Sequence, residues 1–309
     1  MHFKAIYRLF ITAEKFAILY NNSTKEDNED RMKIRPWSNQ VCFLFLTLVS
    51  IVIARVIELF VHESGHYLVA RAVGIVVRPD PVQSLITSPV SIVRYQVGIP
   101  GFYETFNYIP HLPVSASWSA GLISIGGLVF NALLAALCFW FILKTRGIRY
   151  KSLMTISLWV LIFNLGSLFS YVPLRVFSTT GDVWYFLSSF WIHPLIFLFP
   201  ALILVSAGLI ICYSVILPLY CISIPVKSKA LRIFILICST IILLLYLTGP
   251  VLSEFNLHDI LSLPEMTSIF PVIVIGQCVF LVALFFVGLS RLNSLQSSRY
   301  LGKRRKPVR

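Results

Sequence analysis

Six apolar runs, each long enough to cross a lipid hydrocarbon core, decide most of what this chain can become. They fall at about 41 to 70, 116 to 143, 152 to 173, 195 to 224, 231 to 252 and 269 to 290. A helix needs roughly 20 residues to span the core, and inside it only helices satisfy their own backbone polar groups without a closed barrel. The composition agrees: 57% of the 309 residues are hydrophobic and 13% are charged, where a soluble domain carries about 25% charged residues. The expected fold class is therefore an all-α integral membrane protein, a polytopic bundle of about six transmembrane helices. The connection from about 75 to 115 is rich in Pro, Val, Ile and Tyr and alternates over Ser91 to Gln96, so a short β-hairpin-like connection is expected after the first span.

Charge divides the chain further. Residues 1 to 39 form a polar tail with mixed charge around Lys25 to Arg31, which is not the pattern of a cleaved signal peptide. The net charge of +13 sits in alternate connections: Lys144, Arg146, Arg149 and Lys151; Lys227, Lys229 and Arg232; and the tail from Arg291 to Arg309. The connection carrying Glu254, Asp259 and Glu265 has no Lys or Arg. By the positive-inside rule both termini are expected in the cytoplasm. Topology thus accounts for the basic balance, and no nucleic-acid partner is expected; the basic tail is suited to anionic headgroups of the bilayer. The domains expected are a cytoplasmic tail at 1–39, a six-span membrane domain at 40–290 with its catalytic core at 41–182, and a basic tail at 291–309. The six cysteines stand singly in apolar segments and read as small buried hydrophobes.

The chemistry is concentrated in His62-Glu63-Ser64-Gly65-His66 within the first span. Two histidines four residues apart share a helix face and can bind one Zn²⁺, while Glu63 is turned aside and can act as general base on the attacking water. Ionisable residues are costly in a membrane helix and usually functional there. A catalytic zinc usually takes three protein ligands. The extended metzincin form fails, because Arg71 and Ala72 stand where its third ligand would be. Glu58 lies on the same stripe but eight residues before His66, about 12 Å along the helix. It is expected to pair with Arg55 or to support the His62 ring from behind.

From residue 105 to residue 253 the sole carboxylate is Asp182. It is the expected third ligand, with a cap for the following helix or a partner for Arg175 as its alternatives. Glu104 and His111 are rival third ligands. Ser64, Tyr67, Ser119, Ser124 and Asn131 could line a path for water. Gly127, Asn131 and Ala135 form a small-residue stripe that permits close helix approach.

These residues resemble the site-2 protease clan of intramembrane zinc metalloproteases, whose HExxH lies in a membrane helix. The segment Ala120 to Asn131 is similar to the clan's Gly-Pro-x-x-Asn type segment, with Gly127 in place of proline. Asn164, Pro173 and Gly181-Asp182 are similar to its Asn-Pro-Leu-Asp-Gly type segment, stretched and with Gly and Asp inverted. The resemblance implies zinc-dependent endopeptidase activity on transmembrane protein substrates within or beside the bilayer. It also implies a zinc helix running inward, with zinc near the cytosolic face, whereas the charge distribution runs that helix outward. Two other classes fit the composition: a catalytically silent membrane scaffold or carrier that binds membrane proteins, and a metal transporter, for which no second His or Asp cluster and no repeated half is found.

Overall fold

The computed structural model describes residues 36–74, 118–144, 151–176, 181–223, 228–253 and 266–304. Among the described residues every regular element is helical: α1 (Pro36–Ala72), α2 (Trp118–Lys144), α3 (Lys151–Arg175), α4 (Asp182–Phe190), α5 (Pro194–Ile211), α6 (Leu217–Ser223), α7 (Lys229–Ser253) and α8 (Met266–Arg304). Six segments are long and apolar enough to cross a membrane, from Val41–Ala72 to Val272–Ser294. This is the expected bundle. No strand occurs among the described residues, and the hairpin-like connection expected at 75 to 115 lies outside them.

The third span, Ser152–Ser170, is the hub: 72% of it is buried, against 22% of the fourth and the sixth. Trp159, Leu158, Leu161, Ile162 and Phe169 are almost wholly enclosed, and α1, α2, α4, α5 and α7 all touch α3. The outer faces carry large apolar side chains such as Phe45, Leu133, Ile203, Leu204 and Val279, all well exposed, as a lipid-facing surface must.

Apolar burial gives little drive for helices already in lipid, so close packing and hydrogen bonds have to hold the bundle. The α1/α2 crossing shows how. A Cβ on Gly65 would come within 2.6 Å of the Gly126 carbonyl oxygen, and one on Gly126 within 2.8 Å of the Gly65 oxygen. The two backbones meet directly, as only glycine allows.

The fourth span is built from α5, a π-helical turn (Cys212–Ile216) and α6. Pro218 follows that turn. Proline has no N–H and its ring collides with the carbonyl four residues earlier, and the wider π turn relieves this without ending the helix. The sixth span continues as helix through Arg291 to Arg304, so the basic tail begins as an extension of α8.

Candidate metal centre

Three elements bring the centre together. His62, Glu63 and His66 come from α1, a glycine-faced stretch of α2 backs them, and Asp182 opens α4. Gly181, at φ 95 and ψ 171, caps α4 in a region of backbone space that essentially only glycine enters. This turn redirects the chain after α3, and Asp182 emerges as the first residue of the new helix. α4 is held by Val176, Val183, Leu187, Leu128, Val172 and Leu198, which form a small buried cluster of their own. A Cβ on Gly121 would lie 2.6 Å from the Phe190 ring, so α4 lies tight across α2.

The candidate ligand atoms form a nearly equilateral triangle. His62 Nε2 lies 3.2 Å from His66 Nε2 and 3.3 Å from Asp182 Oδ2, and His66 Nε2 lies 3.4 Å from the same oxygen. Zinc bonds of about 2.0–2.2 Å in a tetrahedron place ligand atoms about 3.3–3.6 Å apart. His62, His66 and Asp182 are the group of His, Cys, Asp and Glu side chains, among the described residues, arranged to hold one ion. All three are buried or nearly so, with side-chain exposures of 12%, 4% and 8%. Two imidazoles and one carboxylate also form a donor set suited to zinc.

Supporting contacts fit ligation. His66 Nδ1 lies 2.7 Å from the Ile123 carbonyl oxygen. Donation to that oxygen fixes the proton on Nδ1 and leaves the Nε2 lone pair facing the cluster. Gly127 is the cradle behind both rings: a Cβ there would come within 2.6 Å of His66 Nε2 and 2.7 Å of His62 Cε1. Sequence reasoning places Gly127 in a helix-packing stripe, and its contact with both imidazoles becomes visible only once α1 and α2 are crossed. Glu63 is buried at 8% exposure, next to His62 in the chain and outside the three-residue cluster. That position suits a group that works on water rather than on the ion.

The alternatives for Asp182 fare differently. The N-cap of α4 is Gly181, and no side chain caps the helix, so the Asp182 carboxylate is turned to the imidazoles instead. The Arg175 side chain, Glu104 and His111 all lie outside the described residues. Of the expected water-path residues, Ser124 gives its hydroxyl to the Gly121 carbonyl at 2.8 Å. Asn131 is fully buried, its Nδ2 3.2 Å from both Glu58 Oε1 and His62 Nδ1. Glu58 pairs with Arg55, one of the two roles expected for it, and also receives the Tyr246 hydroxyl of α7 at 3.1 Å. Tyr246 was invisible to sequence reasoning, since nothing around it in the chain marks it as reaching α1.

A family model described as Peptidase family M50 matches residues 50–290, which take in the HExxH helix, Asp182 and most of the sixth span. No curated protein and no solved structure matches the chain. A buried His, His, Asp cluster in a bundle of six membrane-crossing helices, with the family match running through all of them, leads to one assignment: the chain belongs to Peptidase family M50, the site-2 protease family, and is a multi-pass intramembrane metalloprotease.

Proposed function

We propose that the protein is a zinc-dependent intramembrane endopeptidase that hydrolyses peptide bonds of transmembrane protein substrates within or beside the bilayer, using the domain 40–290 and the catalytic core 41–182. The observation that carries this reading is the 3.2–3.4 Å triangle of His62, His66 and Asp182 beside Glu63. His62 and His66 would hold zinc through Nε2 and Asp182 through Oδ2. Bound there, zinc would lower the pKa of a water to about 7 and polarise the scissile carbonyl.

Glu63 then takes a proton from the attacking water and delivers it to the leaving amine. The Ile123 carbonyl keeps His66 in the ligating tautomer throughout. The close α1/α2 crossing covers one side of the site, and the shared helix α1 sets the base beside the two imidazoles.

The charge pattern favours cytoplasmic termini, since Lys144 closes α2, Lys229 opens α7 and Arg291 lies near the end of the sixth span, all at the end of the bundle where α1 begins. His66 lies about 9 Å of helical rise from Ala72 and about 45 Å from Pro36. In this orientation the centre sits toward the non-cytoplasmic face.

The test is cleavage of single-span model substrates by purified chain. Glu63→Gln is expected to lower turnover by about 10²–10⁴-fold while zinc content stays at the wild-type level. Wild-type turnover in Glu63→Gln would refute the assignment and favour a non-catalytic binding role. Membrane-impermeant labelling of single cysteines placed in the 145–150 connection, on intact cells, checks the orientation: labelling from outside would reverse it.

A further inference from the structure

We propose that Glu58 is a positioning residue for the metal centre, which acts through Asn131 on the His62 ring and is itself held by Arg55 and by Tyr246 of the fifth span. The inference rests on the reading of His62 as a ligand.

Glu58 is too far along α1 to join His66 on one ion, yet it is 3% exposed in a membrane helix. A carboxylate in that setting must be paired and hydrogen-bonded on both oxygens. Oε2 receives the Arg55 guanidinium and the Tyr246 hydroxyl, the latter at 3.1 Å. Oε1 receives Asn131 Nδ2 at 3.2 Å. Arg55 also donates to the Tyr246 hydroxyl and lies over its ring, 4.8 Å from the centroid. Tyr246 reaches this point across Gly166 of α3, where a Cβ would stand 3.0 Å from the tyrosine ring. Side chains of three helices thus converge on one carboxylate, and a fourth helix packs against the tyrosine.

The relay ends at the ligand. Asn131 is fully buried and its Nδ2 lies 3.2 Å from His62 Nδ1 and 3.4 Å from Ser167 Oγ, while its Oδ1 has no hydrogen-bond partner. For His62 to offer the Nε2 lone pair to a metal, Nδ1 must carry the proton and donate it. The buried, unpartnered Oδ1 is the acceptor that proton needs, and rotation of the amide about χ2 would present it in place of Nδ2. Which end of an amide faces a ring is decided by the network around it. Here Glu58 decides: an acceptor oxygen claims Nδ2 and leaves Oδ1 for the imidazole. The two ligating rings are therefore aimed by different devices, His66 by a backbone carbonyl of α2 and His62 by a side-chain relay that reaches α7.

The experiment uses the full chain purified in detergent, with zinc affinity read by competition against a chromophoric chelator and kcat and KM read on a single-span substrate. Glu58→Ala is expected to weaken zinc binding by about 10–100-fold and to lower kcat with KM unchanged. Glu58→Gln keeps an acceptor for Asn131 and should recover most of both. Tyr246→Phe removes one hydroxyl and should move zinc affinity in the same direction by less. Melting of the metal-free form separates a merely structural role: a lower melting temperature in Glu58→Ala with wild-type zinc affinity and kcat overturns the proposal. If Glu58→Ala does not fold, wild-type zinc affinity in Tyr246→Phe overturns it instead. Undiminished zinc affinity in His62→Ala would overturn the ligand reading beneath it, an outcome distinct from either.

Discussion

The two halves of the bundle are held by different means. Between α1 and α2 the contact is backbone on backbone, at Gly65, Gly126 and Gly127. In the later helices the glycines meet side chains, as Gly288 meets Leu236 and Tyr213, or meet nothing, as at Gly276. There polar contacts tie one helix to another: Tyr213 with Thr240 at 2.9 Å, Thr155 of α3 with Tyr220 at 2.9 Å, and Gln277, which donates through Nε2 to the Phe169 carbonyl of α3 at 2.6 Å. Since apolar contact contributes little between helices in lipid, close approach and hydrogen bonds are the scarce means of association. The first half uses them to bring a polar cluster together, with its three side-chain atoms 3.2–3.4 Å apart. The second half uses them to fasten helices and, among the described residues, lends the network behind His62 the side chain of Tyr246.

That contrast can be broken most forcefully at Gly127. Gly127→Ala puts a methyl group against both imidazoles, and overpacking of this kind costs about 1–3 kcal/mol; zinc binding and cleavage should be lost together, as elemental analysis and substrate cleavage would show. Retained zinc would mean that the rings are not held against α2. Next in size is zinc itself: at 100 times its Kd it should stabilise the wild type by about 2.7 kcal/mol, read as a rise in melting temperature, and should leave His66→Ala unmoved. In the second half, Tyr213→Phe should cost about 0.6 kcal/mol, the average for a hydrogen bond between membrane helices, with zinc affinity unchanged. Smallest is Gly276→Ala, where the new methyl meets open space; stability should stay within about 0.5 kcal/mol.

The sequence and the structure agree where the signal is local. Each span is legible because about 20 apolar residues have few other uses, and His62, Glu63 and His66 are legible because their spacing is the spacing of one helix face. Asp182 could be singled out because an acid standing alone through most of the apolar chain requires an explanation, and the structure places it beside both imidazoles. What could not be read was non-local. The Arg55–Tyr246 contact joins residues 191 apart in the chain, and no pattern near either one announces the other. Gly127 could be read as a packing glycine, but not as the floor behind two rings, because that depends on the crossing point of two helices. The π turn before Pro218 was also hidden, since proline in a helix can equally kink it. Asn131 could be read as a hydrogen-bonding residue of the α2 stripe, while its position between Glu58 and His62 depends on how α1 and α2 cross.

In the proposed centre His62, His66 and Asp182 together hold one zinc. Elemental analysis of the purified chain tests it directly: about one zinc per chain is expected in the wild type, with the content reduced in both His62→Ala and Asp182→Ala. Full zinc in Asp182→Ala would contradict the ligand set and return the third position to Glu104 or His111, and a wild type that stays zinc-free when metal is supplied would contradict the metal centre altogether.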